Sequence, residues 1–574
     1  MRFGLLAAAA MLALAGCSSQ NDPMSVVANQ TADSSADWNG FVNHSIQRWF
    51  QLDPAFAVYQ GKHEYDGKLP DWSAKGLEAK ADFLKSTVQQ ARAFNNLTPE
   101  QKFQRDYIIS VAAGQLFWLE DADQPHRNPA YYVGTLDPNV YIARNYADKA
   151  TRMRAIISFF QQVPQAAQNI RANLQMPLPA SFIKYGIAAF GGFADYYSND
   201  AKAAFADVKD PALQQQFDQA SAAASKAMLG LQQWFQQNQA TATQNFALGP
   251  ERFARMLKST EMVDVPLDKL QKIGEVDLKR NQQALKAACD QYDPGKTIQE
   301  CVAKMQADKP KGGPVEAARK QIPMLRKFVE EKQLVSIPGT EEAKVEESPP
   351  YNRQNSAYID PPGPFDKGVP SVYYISPPDP SWSKEKQNAY VPGKDDLLFT
   401  TVHEVMPGHF VQFLHSNRDQ FVFGRLFVGY GFAEGWAHYA EEMMWDAGLG
   451  NGDPEVHIGE LTNALLRDCR FLSAIGLHAQ GMTQAQSQQL FEQQCYIDPG
   501  NAEQQAARGT YDPAYLNYTL GKLMIRRLRD DWTATRGGRK AWGAFHDKFL
   551  SYGGPPIPLV RQQMMGEATP RAVF

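Results

Sequence analysis

The chain has 574 residues, of which 44% are hydrophobic and 21% charged, as expected for a globular protein with a substantial core. The formal net charge is −4 and the isoelectric point is about 6.2, so nothing in the charge predicts nucleic acid as a partner. Beyond the N-terminus, no apolar run approaches the roughly 20 residues that a membrane-spanning helix needs.

The N-terminus has the pattern of a targeting segment. Arg2 precedes an apolar stretch that ends in Leu14-Ala15-Gly16-Cys17, the pattern at which bacterial lipoproteins are cleaved and acylated. We predict a lipoprotein signal peptide over residues 1–16, and a lipidated Cys17 with a flexible tether over residues 17–36. A plain signal peptide is the alternative. The lipid would anchor the chain to a membrane of the bacterial cell envelope, facing the periplasm, and Ser18 favours the outer membrane.

Residues 37–574 are predicted to form a single large, mainly α-helical domain, with its catalytic part at about residues 348–574. Helix starts are marked by the capping boxes Thr98-Pro99-Glu100-Gln101 and Thr483-Gln484-Ala485-Gln486, and by Asp210-Pro211. Four cysteines remain after Cys17, and their even number in an exported chain predicts disulfides. The pairing with the shortest loops is Cys289–Cys301 and Cys469–Cys495; free buried thiols are the alternative.

One region between the helices is rich in proline and aromatic residues. Ser371-Val372-Tyr373-Tyr374-Ile375-Ser376 lies between Pro370 and Pro377, which predicts a short strand. Zinc peptidases commonly bind the substrate backbone along an edge strand beside the active-site helix. Tyr373 and Tyr374 are therefore candidate substrate contacts, and an ordinary loop with two buried tyrosines is the alternative.

The chemistry is concentrated in Val402-His403-Glu404-Val405-Met406-Pro407-Gly408-His409. Two histidines four apart on a helix can bind one zinc ion, but His403 and His409 are six apart. On a regular helix this spacing separates them by about 240° and about 9 Å, so both could not reach one metal. Pro407 disfavours helical geometry at Met406, and Gly408 accepts almost any backbone angle. We therefore predict that the helix breaks at Met406–Gly408 and that the chain returns His409 to the metal.

Glu404, beside His403, is the candidate general base, because a carboxylate within reach of a zinc-activated water can take its proton. Glu434, 25 residues after His409, is the candidate third ligand. Three protein ligands and one open position are typical of a catalytic zinc site with one Zn²⁺ per chain. His438 follows Glu434 on the same helix face and is a rival ligand, although a role behind the ligands or in substrate contact is preferred. Glu441 on that face is a candidate for orienting a ligand.

Two later segments complete the candidate site. Arg470 lies on an apolar helical segment with His478, and a buried arginine there needs a carboxylate partner from the protein or from a substrate C-terminus. Tyr518 lies near the start of another helix, where its hydroxyl could stabilise an oxyanion. An ordinary core tyrosine is the alternative.

These motifs resemble the bacterial family catalogued as domain of unknown function 885. The resemblance rests on His403-Glu404-Val405-Met406-Pro407-Gly408-His409, on Phe432-Ala433-Glu434-Gly435-Trp436-Ala437, on Arg470 with Gly476-Leu477-His478, and on Tyr518 with Gly521. It implies a helical metallopeptidase-like fold with a deep central cleft and a small β element beside the active-site helix. It also implies His403, His409 and Glu434 as zinc ligands, Glu404 as base, and Arg470, His478 and Tyr518 as cleft residues.

The sequence therefore predicts a lipid-anchored zinc metallopeptidase that hydrolyses short peptides. Tyr518 or His478 would stabilise the oxyanion, and Arg470 could hold a C-terminal carboxylate, as in a carboxypeptidase or dipeptidase. Two other functions remain open: a metallohydrolase acting on non-peptide amides or esters, and a non-catalytic peptide-binding lipoprotein of the envelope.

Overall fold

The computed structural model describes residues 35–348, 353 and 356–574. This part of the chain is mainly α-helical with one small sheet, as predicted. The predicted signal peptide, Cys17 and nearly all of the predicted tether lie outside the described residues; only its last two residues are described, in the first helix. Within the described ranges, no helix is both long enough and apolar enough to cross a bilayer.

The first half of the described chain consists of helices joined by short turns. Its helices are α1 (Ser35–Leu52), α2 (Pro54–Tyr59), α3 (Ala74–Ala93), α4 (Pro99–Leu116), α5 (Gln124–Arg127), α6 (Ala130–Val133), α7 (Asn139–Ala143), α8 (Lys149–Asn173), α9 (Ala180–Ser198), α10 (Asp200–Phe205), α11 (Pro211–Gln237), α12 (Pro250–Glu261), α13 (Leu267–Tyr292), α14 (Ile298–Ala307) and α15 (Pro314–Glu331).

The second half carries the sheet and the candidate site. Its elements are β1 (Ala343–Glu347), β2 (Ala357–Asp360), β3 (Ser371–Ile375), α16 (Lys384–Tyr390), α17 (Lys394–Glu404), α18 (His409–Ser416), α19 (Val422–Leu426), α20 (Tyr430–Asp446), α21 (Pro454–Ala479), α22 (Gln484–Gln494), α23 (Pro499–Tyr511), α24 (Asn517–Thr533), α25 (Trp542–Leu550) and α26 (Ile557–Met565).

The predicted helix starts are all present. Thr98 and Thr483 form reciprocal capping boxes with Gln101 and Gln486, and Asp210 accepts a hydrogen bond from Leu213 N. Each cap satisfies backbone N–H groups that have no partner within the helix, which fixes the residue at which the helix begins.

Both predicted disulfides are present and local, which confirms their pairing. Cys289 on α13 is bonded to Cys301 on α14, and Cys469 on α21 is bonded to Cys495, directly after α22. Each bond therefore joins two helices that follow one another in sequence, and the second holds α22 against the helix that carries Arg470.

The sheet has the strand order β1-β3-β2. β3 pairs in parallel with β1 and antiparallel with β2, so it lies in the centre and β2 forms an outer edge. The strand predicted around Tyr373 is thus confirmed, but its prediction as an edge strand is wrong. The sequence around β2 also reads as a short apolar stretch that ends at Pro361-Pro362, and this signal was missed.

The buried apolar side chains form two clusters. The N-terminal core is built almost entirely from α1–α11, and the C-terminal core mainly from α12 onward, including β1, β3 and the helices of the candidate site. Helices α20 and α24 approach closely in the C-terminal core, because a Cβ on Gly435 would lie 2.5 Å from Gly521 Cα. This close approach places Glu434 on α20 beside Tyr518 on α24.

Candidate metal centre

The helix that carries His403 ends at Glu404, and a new helix begins at His409. Between them, Gly408 N donates a hydrogen bond to Val402 O, so the chain folds back on the end of α17. A Cβ on Gly408 would lie 1.8 Å from His403 O, and only glycine therefore fits this turn. The predicted break at Met406–Gly408 is confirmed.

The break brings His403, His409 and Glu434 together, with their ligand atoms all within 4.8 Å of one another. Glu434 Oε2 lies 3.3 Å from His403 Nε2 and 3.4 Å from His409 Nε2. Ligand atoms of a tetrahedral zinc site with bonds of about 2.0–2.1 Å are separated by about 3.3–3.4 Å. The spacing from Glu434 to both histidines therefore fits one zinc ion placed between the three side chains.

The hydrogen bonding and charge of Glu434 also support a metal ion at this position. Its Oε2 atom is buried and, among the described residues, has no hydrogen bond of acceptable geometry, although two imidazoles lie close by. Burial alone would raise the pKa of Glu434, but His409 and His403 outweigh it and hold that pKa well below its usual range. An ionised, buried and unsatisfied oxygen is costly, and a cation ligated by it would remove that cost. The residues present therefore fit a zinc site.

Glu441 lies behind the first ligand, as predicted. His403 Nδ1 donates to Glu441 Oε1 over 2.5 Å, which directs Nε2 towards Glu434. Arg467 Nη2 lies 3.4 Å from the same oxygen. Burial alone would raise the pKa of Glu441, but Arg467, His438 and His403 lower it strongly, so the carboxylate is ionised. Such a carboxylate fixes the ring orientation and increases the basicity of the ligating nitrogen.

His438 is neither a ligand nor a substrate contact. Its side chain is fully buried, outside the three-residue cluster, and its Nδ1 lies 3.3 Å from Glu441 Oε2. Burial, with Lys522 nearby, lowers the pKa of His438 to about 4, so the ring is neutral at physiological pH. The prediction of substrate contact is therefore wrong, because the helix directs this side chain towards the protein interior.

Glu404 lies between the ligand cluster and the sheet. Its Oε2 atom accepts a hydrogen bond of 3.1 Å from Ile359 N on β2. This contact orients the carboxylate and leaves Oε1 for a proton. The strand beside the candidate base is therefore β2.

Tyr373 and Tyr374 are not placed for substrate contact, which corrects their prediction. Tyr373 is fully buried in the C-terminal core, and Tyr374 is 5% exposed and packs against Tyr358. Both belong to the central strand, whose two sides are already paired. The sequence predicted β3 but not the strands that pair with it. The pairing with β2 could not be predicted because a loop with no regular pattern separates β2 from β3.

Tyr518 and Arg470 lie together next to the ligands. The ring of Tyr518 stacks beside that of His403 at 6.2 Å, and Arg470 Cζ lies 4.8 Å from the centre of the Tyr518 ring. Both residues are 8% exposed. Arg508 and Tyr430, which the sequence did not single out, lie beside them. Tyr430 packs edge-on to Tyr518, and Arg508 Nη2 donates to the Tyr430 hydroxyl.

His478 is separate from this group of residues, and its predicted role in oxyanion stabilisation is wrong. Its Nε2 donates to Gly509 O at 2.7 Å, and its Nδ1 accepts from Leu248 N at 3.3 Å. Both nitrogens are therefore engaged by backbone, and burial lowers the pKa of the ring to about 4. The residue lines a different cavity of about 470 Å³, together with Trp118, Phe246 and Tyr511.

Comparison with known proteins places the chain among uncharacterised relatives. A family model described as "Bacterial protein of unknown function (DUF885)" matches residues 54–564. A solved structure titled as a putative lipoprotein of unknown function from Shewanella oneidensis is 25% identical, with a TM-score of 0.76 over 92% of this chain and 99% of that one. A second, titled as the putative lipoprotein from Colwellia psychrerythraea, is 16% identical, with a TM-score of 0.78 over 92% and 98%, and shows the fold alone.

No curated protein matches the chain. The family match nevertheless spans most of the sequence, including every residue of the candidate metal centre. It agrees with the resemblance carried by the histidine motif and by the segment around Glu434. The chain belongs to the bacterial family of unknown function DUF885.

Proposed function

We propose that this protein is a zinc-dependent metallopeptidase that hydrolyses short peptides. The observation that carries the proposal is the cluster of His403, His409 and Glu434 at zinc-like spacing, with the carboxylate of Glu404 on the residue after the first ligand. Three protein ligands leave a fourth position open, which is typical of catalytic rather than structural zinc sites.

A zinc ion held by these ligands would polarise the substrate carbonyl and lower the pKa of a coordinated water towards neutrality. Glu404 Oε1 takes a proton from the attacking water and returns it to the departing amine. The ring of Tyr518 stacks beside that of the ligand His403, so its hydroxyl could donate to the oxyanion that develops on the carbonyl.

The outer edge of β2 is a suitable place for the substrate backbone. Ile359 N points away from β3 and towards Glu404. In an antiparallel pair, the N–H and C=O of one residue point to the same side, so Ile359 O also faces this edge. The Ile359 N–H is engaged by Glu404, so an extended peptide would pair here by donating to Ile359 O, which would set its scissile carbonyl beside Glu404.

The site of action is the bacterial cell envelope. The lipoprotein-type pattern ending in Cys17 supports this location, and the two solved structures described above are titled as putative lipoproteins. Acyl chains on Cys17 would anchor the domain on the periplasmic side, with the outer membrane as the favoured location.

The test is cleavage of a mixed peptide library by purified zinc-loaded protein, read by mass spectrometry. Glu404→Gln should keep its zinc and lose activity by at least about a hundredfold, because only proton transfer is removed. Glu331→Gln changes an exposed glutamate remote from the site and should leave cleavage unchanged.

Other outcomes would replace the proposal. Cleavage of non-peptide amides or esters alone would indicate a metallohydrolase of another class. Zinc binding with no turnover of peptides, amides or esters would indicate a non-catalytic peptide-binding lipoprotein. Equal cleavage by Glu404→Gln and the unmodified protein would remove Glu404 as the base.

A further inference from the structure

We infer that Arg470, with Arg508 and Tyr430 beside it, forms a subsite for one carboxylate of the substrate, so that cleavage occurs within about two residues of that carboxylate. This inference rests on the proposed peptidase function and specifies its substrates as short peptides with an anionic group close to the scissile bond.

Three arginines surround the tyrosine next to the metal ligands. Arg470 Cζ lies 4.8 Å and Arg467 Cζ 5.8 Å from the centre of the Tyr518 ring. Arg508 is linked to this tyrosine through Tyr430, to whose hydroxyl it donates and whose ring is 5.9 Å from that of Tyr518. Three cations on one side of a metal centre form an excess of positive charge. A peptide with no charge would offer these cations no counter-ion.

Two of these cations already have a carboxylate partner. Arg467 lies 3.4 Å from Glu441 and donates to Asn463, and Arg508 lies 2.9 Å from Asp512. Arg470 differs: its Nε donates to Gln505 at 2.8 Å, but no carboxylate of the described residues lies within ion-pair distance. One unpaired positive charge therefore remains, which suits a carboxylate rather than a multiply charged phosphate.

The environment of Arg470 makes this arrangement costly without a ligand. Burial lowers the pKa of Arg470, and the nearby cations Arg508 and Arg467 lower it further. Arginine stays protonated in proteins, so the cost remains as an unpaired buried charge. A substrate carboxylate would remove that cost and would accept hydrogen bonds from the planar guanidinium.

The distance from the metal ligands limits the length of the substrate. The steps from the His403 ring to the Tyr518 ring and from there to Arg470 Cζ are 6.2 and 4.8 Å, so Arg470 Cζ is at most about 11 Å from the His403 ring. Part of this distance is taken up by the ion pair between Arg470 and the substrate carboxylate. The rest fits about two residues of extended peptide at 3.3–3.6 Å each. The carboxylate could belong to a free C-terminus or to an Asp or Glu side chain.

The test compares matched peptides that differ in one charge. Each peptide is prepared with a C-terminal carboxylate and with a C-terminal amide, and an amidated set carries Asp or Glu one or two residues after the cut. The unmodified protein should prefer the charged member of a pair by about 10- to 100-fold in kcat/KM, the effect expected of a charge-assisted hydrogen bond. A preference for free acids identifies the C-terminus, and a preference within the amidated set identifies the side chain.

Variants separate this subsite from a general structural effect. Arg470→Ala should reduce the preference to below about threefold, and Arg470→Lys should restore part of it, whereas misfolding would reduce cleavage of both peptides equally. The matched control is Arg154→Ala, an exposed arginine on α8, which should keep the full preference.

Binding separates failure of the subsite from failure of the peptidase proposal. Glu404→Gln protein loaded with zinc is titrated calorimetrically with an N-acetylated tripeptide as acid and as amide. Tighter binding of the acid without cleavage by the unmodified protein would retain the carboxylate subsite and reject the peptidase function. Equal binding and equal cleavage of the charged and uncharged members in every pair would overturn the inference.

Discussion

Three glutamates near the metal centre show how neighbours decide the charge of a side chain. Burial alone would raise the pKa of each one. The pKa of Glu434 is held low by His409 and His403, and that of Glu441 by Arg467, His438 and His403. Glu460 lies beside Glu442 instead, and its pKa is raised well above the usual range, so it is protonated. The two ionised residues are therefore the candidate ligand Glu434 and the carboxylate behind the ligand His403.

Glu441 provides a test of this description at the level of one residue. Replacing it with glutamine removes the charge behind His403 but preserves the size of the side chain. We expect Glu441→Gln to weaken zinc binding by about 10- to 100-fold, as is usual when the hydrogen-bond partner of a ligating histidine is changed. Competition with a chelating dye measures this affinity, and the exposed control Glu331→Gln should not change it. An unchanged affinity in Glu441→Gln would show that this carboxylate does not support the ligand.

Individual site residues could be predicted where the residues that act together lie close together in the sequence. His403, Glu404 and His409 lie in one motif, and the glycine and proline between the histidines indicated the turn. The surroundings of His438 and His478 depend instead on Lys522, Leu248 and Gly509, which only the folded chain brings close to them. A histidine on an apolar helix gives no signal for which polar atoms will meet it.

At the level of elements, glycine determines how closely the site helices approach. Gly408 allows the turn between α17 and α18, and Gly435 and Gly521 allow α20 and α24 to pack against each other. In each case an added Cβ would meet backbone atoms, which cannot move without shifting a whole helix.

We expect Gly408→Ala to disrupt the metal centre. The new Cβ would lie 1.8 Å from His403 O, so the turn that returns His409 could not keep its form. Zinc affinity should fall by at least about tenfold, and the free energy of unfolding by about 1–3 kcal/mol. Zinc content and chemical denaturation measure both.

Gly192→Ala on α9 is the matched control, because a Cβ there meets nothing within 4 Å. It should leave zinc binding unchanged and keep or increase stability, since alanine favours a helix interior over glycine by about 1 kcal/mol. Normal zinc affinity in Gly408→Ala would contradict the described turn.

Elements were predicted well where a local signal defines their ends, as at Thr98, Asp210 and Thr483. Sheet order was not predictable, because pairing between β2 and β3 depends on contacts across a loop. The parallel pairing of β1 with β3 joins residues still further apart in sequence. The edge beside Glu404 was therefore assigned to the wrong strand, although β3 itself was correctly expected.

Across the whole molecule, a group of ionic contacts connects the N-terminal helices to the strand beside the candidate base. Arg144, after α7, lies 2.8 Å from Asp360 at the end of β2 and 3.2 Å from Asp366. His63 lies between Asp66 and Asp366, at 3.0 and 3.1 Å, and stacks on Tyr146. These contacts link helices of the N-terminal core to the sheet that borders the metal centre.

His63 should make the stability of the protein depend on pH. Burial alone would lower its pKa, but hydrogen bonds to Asp366 and Asp66 raise that pKa to about 9. A raised pKa in the folded state stabilises the protein fully below the unfolded value of about 6.5, and this stabilisation is lost as the pH rises through about 9.

We therefore expect His63→Gln to be less stable than the unmodified protein by about 1–2 kcal/mol at pH 6, after allowance for solvent screening, and nearly equal to it at pH 9.5. Denaturation of both proteins at the two pH values measures the difference. A difference in stability that is the same at both pH values would show that His63 is not charged in the folded protein.

The central claim is that His403, His409 and Glu434 bind one zinc ion, and the most direct measurement is the zinc content of purified protein after saturation and removal of unbound metal. We predict about one zinc per chain in the unmodified protein and in Glu404→Gln, and close to none in His409→Ala, with all three folded by circular dichroism. A folded, unmodified protein that takes up no zinc, or a His409→Ala variant that retains a full equivalent, would contradict the assignment of the metal centre.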